Sequence, residues 1–220
     1  MSEARTAILE RLRAVSQSGP LPTLDTAVLE RRQWPLAERA DRLRKGMEAV
    51  HTEFIEATPG NWPSLVRTFC DREGFKNLLF GPTSEAGSGL AAGWGSNGTQ
   101  LMPYDRPVEA FKDELFTGVD AGFTGTVGGV AETGGLLLMP GPMEPRLLSL
   151  VPPIHIAMLK ASTIHDTFWS AVKRLGWGRA LPPNALMISG PSKTADIEQT
   201  LAYGVHGPKR LIVVLVNDLA

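Results

Sequence analysis

Four polar, glycine-bounded stretches in the second half of the chain carry the residue types that do chemistry, around Glu132, His155, Ser192 and His206. Glu132 stands between Val130-Ala131 and Thr133-Gly-Gly-Leu-Leu-Leu-Met, an apolar setting where an ionised carboxylate is costly without partners. One reading makes it a general base, nucleophile or substrate contact whose pKa is raised by burial, with glycines nearby that let a ligand approach the backbone. The other makes it a structural glutamate, paired with Arg146 or tied to backbone amides. His155 lies between Ile154 and Ile156 in a strand pattern, so its side chain faces away from theirs. It is either a satisfied core histidine or a proton carrier near a strand end. His206, in the turn Gly204-Val-His-Gly-Pro, has fewer packing reasons to exist and reads as a site candidate. His51 and His165 read as surface residues, and the four histidines show no metal-ligand spacing.

The loop Ser189-Gly-Pro-Ser-Lys-Thr lies between a predicted strand and a helix predicted over Ala195 to Tyr203. Free N–H groups and the dipole at such a helix start favour an anion, a carboxylate or a phosphate. Ser192 and Thr194 can cap the helix or bond the ligand, and Lys193 adds a point charge. With Thr133, Ser189 and Gly190 they form the expected anion-binding set. Asp196 and Glu198 in the first turn would partly satisfy the dipole themselves, so plain helix capping stays open. The loop lacks the glycine spacing and the Gly-Lys-Ser/Thr of a P-loop, which excludes nucleotide hydrolysis by that route.

The elements that must position these residues alternate. Glu3 to Val15 reads as a short amphipathic helix and Ser16 to Thr23 as a linker; Leu36 to Ile55 reads as one long helix with a single apolar seam. A helix opening at Pro63 precedes the strand Asn77-Leu-Leu-Phe, and Gly81 to Pro107 reads as a long mobile rim over the site. Val108 to Phe116 reads as a helix, then Val119 to Thr126 and Val127 to Met139 as glycine-broken apolar segments. Strands follow at Ile154 to Leu159, Leu186 to Ser189 and Leu211 to Val216, with a helix at Thr163 to Leu175. This order implies a largely parallel sheet covered by helices. The expected organisation is a mobile or partner-binding leader over 1–22, a helical extension over 23–74 and an α/β domain over 75–220.

Basic and acidic residues nearly cancel, 22 against 23 with a net charge of -1, so no overall field draws the chain to nucleic acid or an anionic membrane. Cys70 is the single cysteine, which excludes an internal disulfide and a cysteine-ligated cluster held by this chain alone. A reducing cytoplasm fits that usage. The start of the chain lacks a signal-peptide core, and no run is long enough to span a bilayer.

Taken together, Thr124-Gly with Ala131-Glu-Thr-Gly, Leu150-Val-Pro-Pro-Ile-His-Ile, Ile188-Ser-Gly-Pro-Ser-Lys-Thr-Ala-Asp-Ile-Glu and Gly204-Val-His-Gly-Pro-Lys resemble the signature blocks of the LUD-domain family, in its LutC/YkgG-type branch. The resemblance covers roughly residues 75 to 217. It implies a Rossmann-like α/β fold similar to the NagB/RpiA/CoA-transferase group, with an N-terminal helical extension. It also implies a role in oxidising L-lactate to pyruvate, as a subunit without its own cluster beside two iron–sulfur lactate utilisation proteins. The family's motif residues fall on Glu132, Thr133, His155, Ser189, Ser192, Thr194, Asp196, Glu198 and His206. Gly128-Gly129 and Gly135 depart from the residues usual in relatives, which alters the expected pocket shape. Two alternatives stand beside this reading: a stand-alone CoA-transferase-like or sugar-phosphate-isomerase-like enzyme using Glu132, and a module that binds a carboxylate and regulates a partner.

Overall fold

A computed structural model describes residues 3–16, 25–195 and 201–219, which fall into one unit up to Arg31 and a larger one from Arg32 onward. The first unit holds helix α1 (Glu3–Ser16), in agreement with its amphipathic pattern, and a 3₁₀ turn at Ala27–Glu30. Most of the expected linker, residues 17–24, lies outside the described residues.

The larger unit runs α2 (Leu36–Glu48), β1 (Glu53–Ala57), α3 (Trp62–Glu73), β2 (Asn77–Phe80), α4 (Glu85–Ala92), β3 (Gln100–Pro103), α5 (Lys112–Thr117) and β4 (Ala121–Gly125). It continues through β5 (Gly128–Val130), β6 (Gly135–Leu138), α6 (Leu147–Leu150), β7 (Ile154–Lys160), β8 (Ile164–His165) and α7 (Phe168–Arg174). The last elements are β9 (Leu186–Ile188), β10 (Lys193–Ala195), β11 (Leu201–Tyr203) and β12 (Arg210–Val216). Six strands form one parallel sheet in the order β1-β12-β7-β4-β2-β3. Alternation along the central strands fills both faces, as burial between two layers requires. Ile156, Met158, Phe123, Ile212 and Val214 pack toward Trp62, Val66, Phe69 and Leu90 of α3 and α4. Ala157, Leu159, Leu211, Val213 and Leu215 pack toward Leu43 and Met47 of α2 and toward a second sheet of order β8-β5-β6-β9. Each fully buried large aliphatic side chain contributes about 1.5–3 kcal/mol, so the seam of α2 and the centre of the parallel sheet stabilise one another.

Four expectations are corrected. The long helix ends at Glu48: His51 takes φ 70°, and the apolar seam is continued by Phe54 of β1, which pairs with β12. The segment 23–74 therefore supplies an edge strand of the main sheet as well as helices. The stretch from Gly81 to Pro107, expected as a connecting rim, contains regular structure: its Ser84 caps α4 by accepting from the Gly87 N–H and its residues Gln100–Pro103 pair with β2. The helix expected from Thr163 begins only after Thr167, which closes a capping box with Ser170. The helix expected over Ala195 to Tyr203 is replaced at both described ends by an antiparallel pairing that places Ala195 opposite Leu201. Residues 196–200, with Asp196 and Glu198, lie outside the described residues.

Candidate functional site

β2 and β4 are neighbours whose chains leave in opposite senses. After β2 the chain enters α4, whose Ala86 and Leu90 join the core on one face of the sheet, whereas after β4 it enters β5 and β6, whose Ala131, Leu136 and Leu138 join the core on the other. Strand ends that part in this way leave a crevice at the carboxyl edge of a parallel sheet, the usual ligand position in such folds. A cavity of about 380 Å³ lies there, lined by Ser84, Gly125, Thr126, Glu144, Lys160 and Thr163 among others. A second, of about 400 Å³, shares Glu85, Met158 and Lys160 with it and is walled by Trp62, Val216 and Asp218.

The local sequence shapes this crevice. A Cβ on Gly87 would overlap the Gly81 carbonyl, and one on Gly81 would overlap the Met143 carbonyl, so both glycines permit backbone to close on backbone. The Glu144 carboxylate reaches over this turn. Its Oε1 accepts from the Ser84 hydroxyl at 2.7 Å and from the Gly125 N–H at 3.0 Å, and its Oε2 lies 3.2 Å from the same N–H. Lys160, at the end of β7, donates to Glu85 at 2.7 Å, and this hydrogen bond and charge hold the Glu85 carboxyl below its ordinary value. The hydroxyl protons of Thr126 and Thr163 go to the carbonyls of Met158 and Lys160. Burial works to raise the pKa of Asp218, but the Ser162 hydroxyl and N–H, with the Lys160 charge, bring it below the ordinary value. Among the described residues no cluster of His, Cys, Asp and Glu could hold a metal ion.

None of the sequence-predicted site residues lines either cavity. Glu132 is not buried: it sits on the exposed turn between β5 and β6, ion-paired with Arg32 instead of Arg146, and its N–H donates to the Asp166 carbonyl at 3.0 Å. Thr133 is exposed beside it. Gly134, with φ 64°, lies against the backbone of Gly46, and a Cβ there would come within 2.9 Å of the α2 backbone. Ala131-Glu-Thr-Gly is therefore the corner at which α2 meets the second sheet. His155 is 1% exposed; its Nε2 lies 2.9 Å from the Thr124 hydroxyl, and its Nδ1 has no partner among the described residues. Burial pushes its pKa down to about 3, so the ring is neutral near pH 7. His165, expected on the surface, is half-buried, and burial, then the charges of Arg174 and Arg39, lower its pKa.

The remaining predicted residues gather at the other end of the sheet. The Ser192 N–H donates to the Pro208 carbonyl at 2.8 Å, and the Ser192 carbonyl accepts from the Gly204 N–H at 2.9 Å, which joins the loop of Ser192 to that of His206. The Lys209 N–H donates to the Pro153 carbonyl at 2.7 Å, which ties this pair of loops to the amino ends of β7 and β12. Seven strand residues, about 20 Å of extended chain, separate them from the crevice. His206, Ser189 and Lys193 are exposed, Thr194 is half-buried in β10, and Gly190 packs against Val50. No helix starts at Ala195 to supply the expected anion site.

Sequence reasoning missed Ser84, Glu144 and Lys160. The strand followed by Gly81-Pro-Thr-Ser-Glu-Ala-Gly was a usable signal for a capped helix at a strand end, whereas Glu144 in Pro142-Met-Glu-Pro and Lys160 at the close of an apolar run carry no telling spacing.

The signature stretches and the parallel sheet fall within a match to the LUD-domain family model over residues 40–216. The chain belongs to the LUD-domain family. It is 39% identical over 180 residues to an uncharacterized protein of Neisseria meningitidis serogroup B, covering 81% of this chain and 77% of that one. It is 26% identical over 187 residues to lactate utilization protein C of Oceanobacillus iheyensis, covering 82% and 80%, and 28% identical over 183 residues to lactate utilization protein C 1 of Bacillus mycoides, covering 80% and 78%. The crystal structure of a DUF162 family protein from Deinococcus radiodurans shares the fold, with a TM-score of 0.64, 20% identity and 84% of this chain covered against 99% of that chain. No helix among the described residues of the LUD protein is long and apolar enough to cross a membrane.

Proposed function

We propose that this LUD protein acts in lactate utilisation, as a cytoplasmic subunit without its own cluster in a system that oxidises L-lactate to pyruvate beside two iron–sulfur partner proteins. The observation that carries the reading is its similarity, over about four fifths of both chains, to proteins named lactate utilization protein C. The cavity of about 380 Å³ has the size for a small acid, and its lining includes the Lys160 ammonium, paired with Glu85, and the Gly125 N–H and Ser84 hydroxyl, which Glu144 engages. Lactate oxidation removes two electrons and two protons, from the C2–H and the O–H, and the electrons pass to the iron–sulfur partners. Cys70 is buried, and its thiol is pushed up to about 12, first by burial and then by the charge of Asp71. As the chain's single cysteine, it agrees with a division of labour in which the clusters sit on the partners. The stand-alone CoA-transferase-like or isomerase-like reading draws no support from Glu132, which is exposed and ion-paired outside the crevice.

Lactate-dependent dye reduction is measured with the complete set of three proteins and again with this chain alone omitted. Activity confined to the complete set supports the reading; equal activity without this chain overturns it.

A further inference from the structure

The crevice contains a carboxylate that the chain itself supplies. Glu144 arrives on the strap between β6 and α6, whose exposed Gly141, Pro142 and Met143 contact solvent while the Glu144 side chain turns inward. Its carboxylate takes the Ser84 hydroxyl at 2.7 Å and straddles the Gly125 N–H at 3.0 and 3.2 Å. Two oxygens shared over one N–H and one hydroxyl is the arrangement a bound carboxylic acid would adopt. The seat opens on the cavity of about 380 Å³, whose lining also includes Lys160. Among the described residues Lys160 is ion-paired through Glu85, whose side chain is 84% exposed, a pairing that water screens and an incoming anion can exchange at little cost. Within the strap the Gly141 N–H donates to the Glu144 carbonyl at 3.1 Å, and at its far end the Pro145 and Arg146 carbonyls accept from the Leu148 and Ser149 N–H groups at 2.9 and 3.2 Å. The absence of a side chain on Gly81 lets the strap lie close to it.

With Glu144 in place, Glu85, Glu144 and Asp218 outnumber Lys160 around the two cavities, and an anion entering beside them is repelled. With Glu144 withdrawn, one of those three carboxylates leaves and the Ser84 hydroxyl and Gly125 N–H are freed for an incoming acid, with Lys160 still opposed by Glu85 and Asp218. We propose that Glu144 is an internal stand-in for a substrate carboxylate, and that a small carboxylic acid binds by displacing it from Ser84 and Gly125 as the strap 139–146 swings outward. Binding is then coupled to strap opening, so the acid seat at Ser84 and Gly125 is filled from within until an acid displaces Glu144. The inference rests on the lactate reading only for which acid is taken.

The test is calorimetric titration of the full-length chain with acetate, L-lactate and pyruvate at constant ionic strength. If the closed strap is populated nine times in ten or more, removing the internal competitor tightens carboxylate binding by about tenfold or more, expected in full for Glu144→Ala and in smaller degree for Glu144→Gln, whose amide oxygen still accepts from Ser84 and Gly125. Ser84→Ala placed on Glu144→Ala abolishes the gain. Gly81→Ala, which crowds the strap while keeping every seat residue, is expected to tighten binding in the same direction. Asp218→Asn removes an equal charge without freeing the seat, and its effect stays within about threefold. Folded Glu144 variants that bind carboxylates no better than wild type overturn the proposal, as does a gain that survives Ser84→Ala or is matched by Asp218→Asn. If the Glu144 variants gain while lactate oxidation proceeds without this chain, the seat stands and the lactate reading falls. If oxidation needs the chain while the Glu144 variants gain nothing, the seat falls and the reading stands.

Discussion

The two ends of the parallel sheet differ in kind. At the amino end, the loops of Ser192 and His206 close on each other and on Pro153 through backbone hydrogen bonds, and their polar side chains are exposed or half-buried. At the carboxyl end, side chains converge on space: Ser84, Glu144 and Lys160 surround cavities large enough for a metabolite. The motif residues that look most chemical in the sequence cluster at the first end or at the corner by Gly46, and the residues positioned to touch a ligand lie at the second. A glycine-rich signature can mark where backbones must approach, and such an approach is as specific a demand on sequence as catalysis is.

The largest effect that would sharpen this contrast concerns His155. Its folded pKa of about 3 lies below the ordinary 6.5 because the ring is buried, so the unfolded chain binds the proton first as pH falls. Its contribution to stability is complete above about pH 6.5 and is lost as pH drops toward about 3, a loss on the order of 5 kcal/mol. Chemical denaturation across that window is expected to show a steep fall for wild type and a flatter one for His155→Asn. A wild-type profile with no such fall would mean that the ring is accessible, and the interior reading of this motif residue would be abandoned.

Next comes the corner itself. Gly134→Ala puts a Cβ at φ 64° and within 2.9 Å of the Gly46 backbone, which should cost about 2–3 kcal/mol. The midpoint of thermal unfolding should drop by several degrees, about 2–4 °C per kcal/mol for a chain of this size, while the folded fraction binds crevice ligands as wild type does. Weakened ligand binding in the folded fraction would move the corner into the site.

Much of the fold was legible because its signals are local. The apolar runs at Ile154 and Leu211 have no polar face and can only be strands buried on two sides; Pro63 opens α3 just after Trp62, and Asn77–Phe80 is a strand. The errors share a cause. The seam of α2 passed into β1 because Phe54 falls at a spacing that suits the helix while packing in the same core from a strand. The Ala195 helix was read from charges and small residues, whereas Lys193–Ala195 and Leu201–Tyr203 pair as antiparallel strands. The candidate site was illegible because Ser84, Gly125 and Glu144 come from three segments that only the parallel pairing of β2 and β4 brings together. Sixty residues separate the hydrogen-bonded Ser84 and Glu144, and no spacing rule reaches that far.

The smallest effects provide the closest comparison, between two ion pairs of similar exposure and unlike placement. Arg32–Glu132, with side chains 65% and 28% exposed, lies on the motif turn, and Lys160–Glu85, at 42% and 84%, lies between the cavities. Water screens both, so Glu132→Gln and Lys160→Gln should each shift stability by about 1 kcal/mol or less. Their consequences for ligand should separate. Lys160→Gln removes the one ammonium facing the crevice and is expected to weaken lactate binding about tenfold, since a charged hydrogen bond contributes about 1.5–3 kcal/mol. Glu132→Gln leaves that cavity untouched and should bind lactate as wild type does. Because the two variants are matched in stability, a difference in affinity reports position in the molecule and not folding. If Glu132→Gln were the variant that lost binding, the chemistry would belong to the signature turn, and the crevice would be an incidental gap between diverging strands.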